Sequence, residues 1–204
     1  ILHSNPCFSV IKASNLALGR EEALRISYGS THTKAELRKL SSLTHPSNLQ
    51  VYSCGSMNIG GERQVLTMPL LKHNTLAELH IQNLSPLLAC RLLGQALGAL
   101  NEVEKAGLVY GSLSPSTLKL SKQVTERLHI ADYGLGIPMD DATSAENFRP
   151  ARQPYVAPER FLGAPPTARG DIFSLGVVFY ELLCGELPYP CLLYTSPSPR
   201  DWMV

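Results

Sequence analysis

The chain of 204 residues is 44% apolar and 17% charged, with a formal net charge of +1. This length and balance exclude a disordered polyelectrolyte and allow one domain with a sizeable core, and the near-neutral charge removes the electrostatic case for a nucleic-acid partner. Five scattered cysteines, at 7, 54, 90, 184 and 191, fit free thiols in a reducing, cytoplasmic compartment and show no CxxC or His/Cys spacing for zinc.

In chain order, residues 8–14 (FSVIKAS) and 22–28 (EALRISY) are β-like and joined through Gly19. Residues 33–43 (TKAELRKLSSL) set Leu37, Leu40 and Leu43 at helical spacing until His45-Pro46 ends the run. Residues 48–55 (NLQVYSCG) and 63–71 (RQVLTMPLL) form a second predicted strand pair, with 58–61 between them. After residue 75 the pattern turns helical. TLAELH is a short helix, and 85–107 is a long one with Ser85 as cap, Pro86 at its first position and Gly107 at its end. Two short strands are predicted at 117–121 (TLKLS) and 127–132 (RLHIAD), then an irregular polar stretch over 136–154. Residues 170–185 (GDIFSLGVVFYELLCG) are an apolar helix, too short to span a bilayer and carrying Glu181. No signal peptide is visible, and the start at Ile1 leads us to expect an upstream beginning. Residues 191–201 (CLLYTSPSPRD) resemble a translated sequencing adaptor, so 191–204 is expected to lie outside the natural domain, which breaks off near Pro190.

An ordered series of motifs resembles the eukaryotic protein kinase domain. VIKA (10–13) and EALR (22–25) look like its second and third strands, and Glu36 stands ten residues before Pro46 of LTHPSNLQVY as the family's C-helix glutamate does. TMPLLKHNTLAEL resembles the hinge, GLVYGSLSPSTLKL the catalytic loop, IADYGLG the magnesium loop, YVAPER the APE motif, and GDIFSLGVVFYELLCGELPYP the F-helix. The implied fold is α+β and two-lobed. A β-rich N-lobe with one helix covers about 1–68, a hinge 69–72, and a mainly helical C-lobe 73–190, truncated after the F-helix. With later helices missing, the F-helix is predicted to expose apolar surface.

The resemblance also assigns positions. Phosphoryl transfer is mostly positioning and charge neutralisation, so each position has a physical task. The three glycines of the phosphate-covering loop fall on His3, Asn5 and Phe8, where a Cβ holds the backbone away. The phosphate-binding lysine is Arg25, expected to pair with Glu36 as the C-helix partner; Lys12 points outward and is a poor substitute. The base position is Ser112, whose neutral hydroxyl lacks basicity near pH 7, a loss of roughly 10²–10⁴ in rate. Ser114 replaces the lysine that follows it, and Thr117 the magnesium-binding asparagine. Asp132 is kept as the magnesium ligand, with Tyr133 beside it. Val10 and Ala23 fall on nucleotide-lining strand positions, Met68 is the gatekeeper, and Pro69 and Leu71 offer hinge backbone groups. Lys119 stands where an apolar residue usually packs beneath adenine, an expensive place for a charge unless its stem lets the head reach out.

The scaffold positions survive. Leu40, Val51, Tyr133 and Tyr110 would form the hydrophobic column, and Asp171 would hold the catalytic-loop backbone. Asp140, Asp141, Thr143 and Ser144 lie in a stretch read as a solvated loop, where a phosphosite is the lesser reading, and Arg152 replaces a threonine usual in active members. These substitutions imply a pseudokinase that binds a protein partner within a larger multidomain protein, with ATP and magnesium binding weak or absent. The alternative is a divergent serine/threonine kinase that moves the ATP γ-phosphate to protein hydroxyls using Asp132, Arg25 and an unassigned base.

Overall fold

The computed structural model describes residues 2–4, 8–28, 33–79, 84–111, 113–121, 126–131, 137–138 and 154–189. Ser112, Asp132, Tyr133, Arg152, the 140–144 cluster and the adaptor-like tail lie outside them.

The N-terminal part is a five-stranded antiparallel sheet in the order β1-β2-β3-β5-β4: β1 (His3–Ser4), β2 (Phe8–Asn15), β3 (Arg20–Ser27), β4 (Ser53–Asn58) and β5 (Glu62–Pro69). β2 and β3 pair from Phe8↔Ser27 to Asn15↔Arg20. Their turn closes because Gly19 takes φ +62° and the Asn15 side chain accepts from the Leu18 N–H at 3.1 Å. Val10, Ala23, Leu66 and Met68 are fully covered and tie the sheet into the single main core. The strand expected at 48–55 begins later, at Ser53. Asn48 makes only a bridge to Ile130, and the residues of β4 are all exposed. An edge strand with no buried face carries no alternation for sequence reading to find.

Helix α1 (Lys34–Ser41) starts with a capping box: the Thr33 hydroxyl accepts from Glu36 N, and the Glu36 carboxylate accepts from Thr33 N at 2.7 Å. Next come α2 (Leu76–Leu79) and α3 (Pro86–Lys105). α3 is capped by Ser85, begins at Pro86, and is followed by Gly107 at φ +70°. Its buried stripe of Ala89, Leu92, Ala96, Ala99 and Val103 keeps helical spacing and packs against α5 (Ala168–Cys184), with α4 (Pro158–Phe161) preceding it. The strand pairs β6 (Leu108–Val109) with β9 (Ile137–Pro138), and β7 (Leu118–Ser121) with β8 (Arg127–Ile130), complete the described elements. The two-lobed α+β architecture is therefore present. α5 also exposes Ile172, Tyr180 and Leu183, the apolar surface expected there. Among the described residues no helix is long and apolar enough to cross a membrane.

One carboxylate fastens the loop after α1 to the helical part. Glu102 on α3 accepts from Thr44 N (2.7 Å), Thr44 Oγ1 (2.9 Å), His45 N (2.9 Å) and Asn48 Nδ2 (2.8 Å). Burial pushes its pKa up, but the donors outweigh that and hold it below the usual carboxylate value. A depressed folded pKa means the stabilisation is complete above the unfolded value of about 4.3 and is lost as pH falls through the folded value. Glu102→Gln should therefore cost about 1–2 kcal/mol in urea melts near pH 7, with a smaller difference from wild type in acid.

Candidate nucleotide cleft and catalytic loop

A buried side chain anchors the start of the catalytic-loop segment. Asp171, on the first turn of α5 and 2% exposed, accepts from the backbone N–H of Tyr110 and of Gly111, each at 2.7 Å. Gly111 has φ +68°, a conformation that glycine adopts without strain. Tyr110 is buried, and its hydroxyl donates to Asn48 Oδ1 at 3.0 Å; Asn48 in turn reaches Glu102. The segment is thus tied to both α5 and α3. Of the expected column, Leu40 and Tyr110 are buried and Val51 is partly buried against the core.

Beyond Ser112 the chain turns on its own hydroxyls. Thr117 Oγ1 accepts from Ser114 N at 3.0 Å and donates to Ser114 O at 2.9 Å. Ser114 Oγ and Ser116 Oγ share a 2.9 Å hydrogen bond. Ser114 and Thr117 are each 2% exposed. These atoms satisfy the buried turn. Local patterns carry no signal for Asn48 or Glu102, whose partners lie far along the chain, and Ser116 meets a hydroxyl two residues away.

The cleft positions come together between the sheet and β7. Val10, Ala23 and Met68 are each 0% exposed, with Pro69 and Leu71 partly buried at the end of β5. The Phe8 ring, at the third glycine position, lies beneath Arg25, whose guanidinium carbon is 4.4 Å from the ring centroid. Arg25 Nη1 also donates to Ser27 Oγ at 2.6 Å. The Glu36 carboxylate, the expected partner of Arg25, accepts from Thr33 N at its own helix cap. Lys12 does face outward, in an ion pair with Glu21, and Lys72 of the hinge reaches the same carboxylate at 2.6 Å. These two hydrogen-bonded cations lower the Glu21 pKa to about 2.

Lys119 is half-buried, and its ammonium donates to the Leu71 carbonyl at 3.4 Å. Its head thus meets the hinge. Burial lowers its pKa, and Glu78 opposes that effect.

ATP and magnesium can be tested against these residues. At the adenine end the Lys119 ammonium holds the Leu71 carbonyl, a hinge backbone group. At the phosphate end Phe8 covers Arg25. At the metal end Thr117 Oγ1 is already used as both acceptor and donor.

The motif series and this geometry agree with the comparison to known proteins. The family profile described as the protein kinase domain matches residues 7–194. The chain belongs to the protein kinase domain family. Similar proteins include the DNA damage-responsive serine/threonine-protein kinase RqkA of Deinococcus radiodurans, 30% identical over 94% of this chain and 31% of that protein. The serine/threonine-protein kinase pkn2 of Myxococcus xanthus is 26% identical over 95% of this chain and 24% of its own length. PknB of Mycobacterium tuberculosis is 26% identical over 97% and 30% respectively. This protein kinase domain thus spans about a quarter to a third of the length of these relatives.

Two variants probe the cleft. Lys119→Leu removes the half-buried charge and frees the Leu71 carbonyl, so Mg-ATP affinity should rise by about tenfold in calorimetry. Asp171→Ala leaves two loop N–H groups without their acceptor and should cost about 3 kcal/mol in chemical denaturation.

Proposed function

We propose that this chain is a divergent serine/threonine protein kinase domain that moves the ATP γ-phosphate to protein hydroxyls once its cleft opens. The supporting observation is likeness: the family profile covers 7–194, and the relatives described above are named serine/threonine protein kinases. In this reading Arg25 meets the phosphates after Phe8 moves aside, and Asp132 is the residue that matches the magnesium ligand. ATP with magnesium would supply the phosphoryl group. The chain's own contribution is the Tyr110–Gly111 backbone that Asp171 fixes at the start of the loop.

A second reading, a pseudokinase that binds a protein partner inside a larger polypeptide, is favoured by one specific observation. The hydroxyls of Ser114 and Thr117 are engaged within the turn, at the two positions where the family has a lysine and an asparagine. Together with serine at 112, this leaves the loop without a charged group for proton or phosphate handling.

A transfer assay separates the readings. Full-length protein with labelled Mg-ATP should phosphorylate itself or a generic protein substrate, and Asp132→Ala should abolish the signal. Neither transfer nor a melting shift with Mg-ATP, alongside a stoichiometric protein partner in co-purification, establishes the second reading.

A further inference from the structure

A cavity of about 540 Å³ lies away from the nucleotide cleft and shares no residue with it. Its walls come from three places: residues 45–47 after α1, Arg91 and Gln95 on α3, and Glu126 and Arg127 where β8 begins. We propose that this cavity binds an oxyanion, a phosphoryl or carboxylate group, between the guanidinium groups of Arg91 and Arg127.

The walls are built rather than incidental. Gln95 donates to the Glu126 carbonyl at 3.0 Å and accepts from Leu128 N at 2.9 Å, pinning the start of β8 to α3. His45 Nδ1 accepts from Ser47 N at 3.2 Å, while its backbone N–H is held by Glu102. The imidazole also lies close over α3, where a Cβ added at Gly98 would fall 2.8 Å from His45 Nε2. The absence of a side chain at 98 is what admits the ring. A site with walls fixed from both sides pays little ordering cost on binding.

The charge is unbalanced. Arg91 has Glu126 at 3.5 Å, a loose pair with both side chains well exposed. Arg127 has no ion-pair partner among the described residues. Two guanidinium groups against one carboxylate leave a net positive charge. Its field reaches inward: His129, two residues along β8 and stacked on His73 at 5.8 Å, has its pKa lowered by burial first, then by His73 and Arg127. Guanidinium groups present paired donors that match oxyanion geometry, which an ammonium does not. The volume exceeds a bare ion and suits the group with the atoms that carry it. That carrier is either a phosphorylated peptide segment or a free phosphorylated small molecule, and the chemistry at the arginines is the same. The site stands whether or not the domain transfers phosphate.

The test is calorimetry on the full chain with three probes: a phosphoserine peptide of otherwise neutral sequence, its unphosphorylated twin, and inorganic phosphate. The phosphopeptide should bind about tenfold or more tightly than its twin, and more weakly as salt rises. Arg91→Ala and Arg127→Ala should each weaken binding by about fivefold, while Glu126→Gln, which frees Arg91, should tighten it. Lys119→Leu should leave it unchanged. Inorganic phosphate matching the phosphopeptide assigns the small-molecule source; a clear preference for the peptide assigns the protein source. No binding of either phosphate probe, or equal binding by the Arg91→Ala/Arg127→Ala double variant, overturns the proposal.

Discussion

The catalytic-loop segment depends on a buried carboxylate that accepts two consecutive backbone N–H groups. Asp171 does this from inside α5, where it is almost fully covered. A buried carboxylate is tolerable only when strong donors surround it, and two short charge-assisted hydrogen bonds meet that need. The same contact sets the direction of the chain as it leaves β6. Through Tyr110, Asn48 and Glu102 the constraint extends to the loop after α1, so the sheet-bearing part and the helical part share one polar thread. The apolar core surrounds that thread with Leu108, Leu113, Leu118 and Ile130.

The cleft shows how a scaffold and its chemistry separate. Leu40, Tyr110 and Asp171 keep the packing and anchoring expected of the family. The nucleotide-facing groups have each found partners within the chain: Arg25 the Phe8 ring, Lys119 the Leu71 carbonyl, Thr117 the Ser114 backbone. A buried polar atom must be paired, and here the partners are a neighbouring ring, hydroxyl or backbone group. Kinship with serine/threonine kinases and a self-satisfied cleft are therefore compatible features of one molecule.

Much of this was legible in the sequence, for physical reasons. β2, β3, α3 and α5 are β-like or apolar runs bounded by Gly19, Ser85, Gly107 and Gly185, and all four fall where expected. The role of Asp171 followed from motif position. β4 was misplaced because none of its side chains is buried. The family pattern placed Glu36 but not the helix cap that its carboxylate makes with Thr33, three residues away. Lys119 was recognised as an awkward charge, while its partner, 48 residues earlier, was beyond reach of any local rule. The Glu102 hub lies further still from its donors along the chain, 54 to 58 residues.

The interlocked hydroxyls at 114, 116 and 117 constrain how this loop can change over evolutionary time. Each oxygen is a fastener for its neighbour, so replacing one alone loosens the bend before any new reactivity is gained. Substitutions here should arrive in sets, which makes the present loop a ratchet: easily kept, and hard to reverse one step at a time.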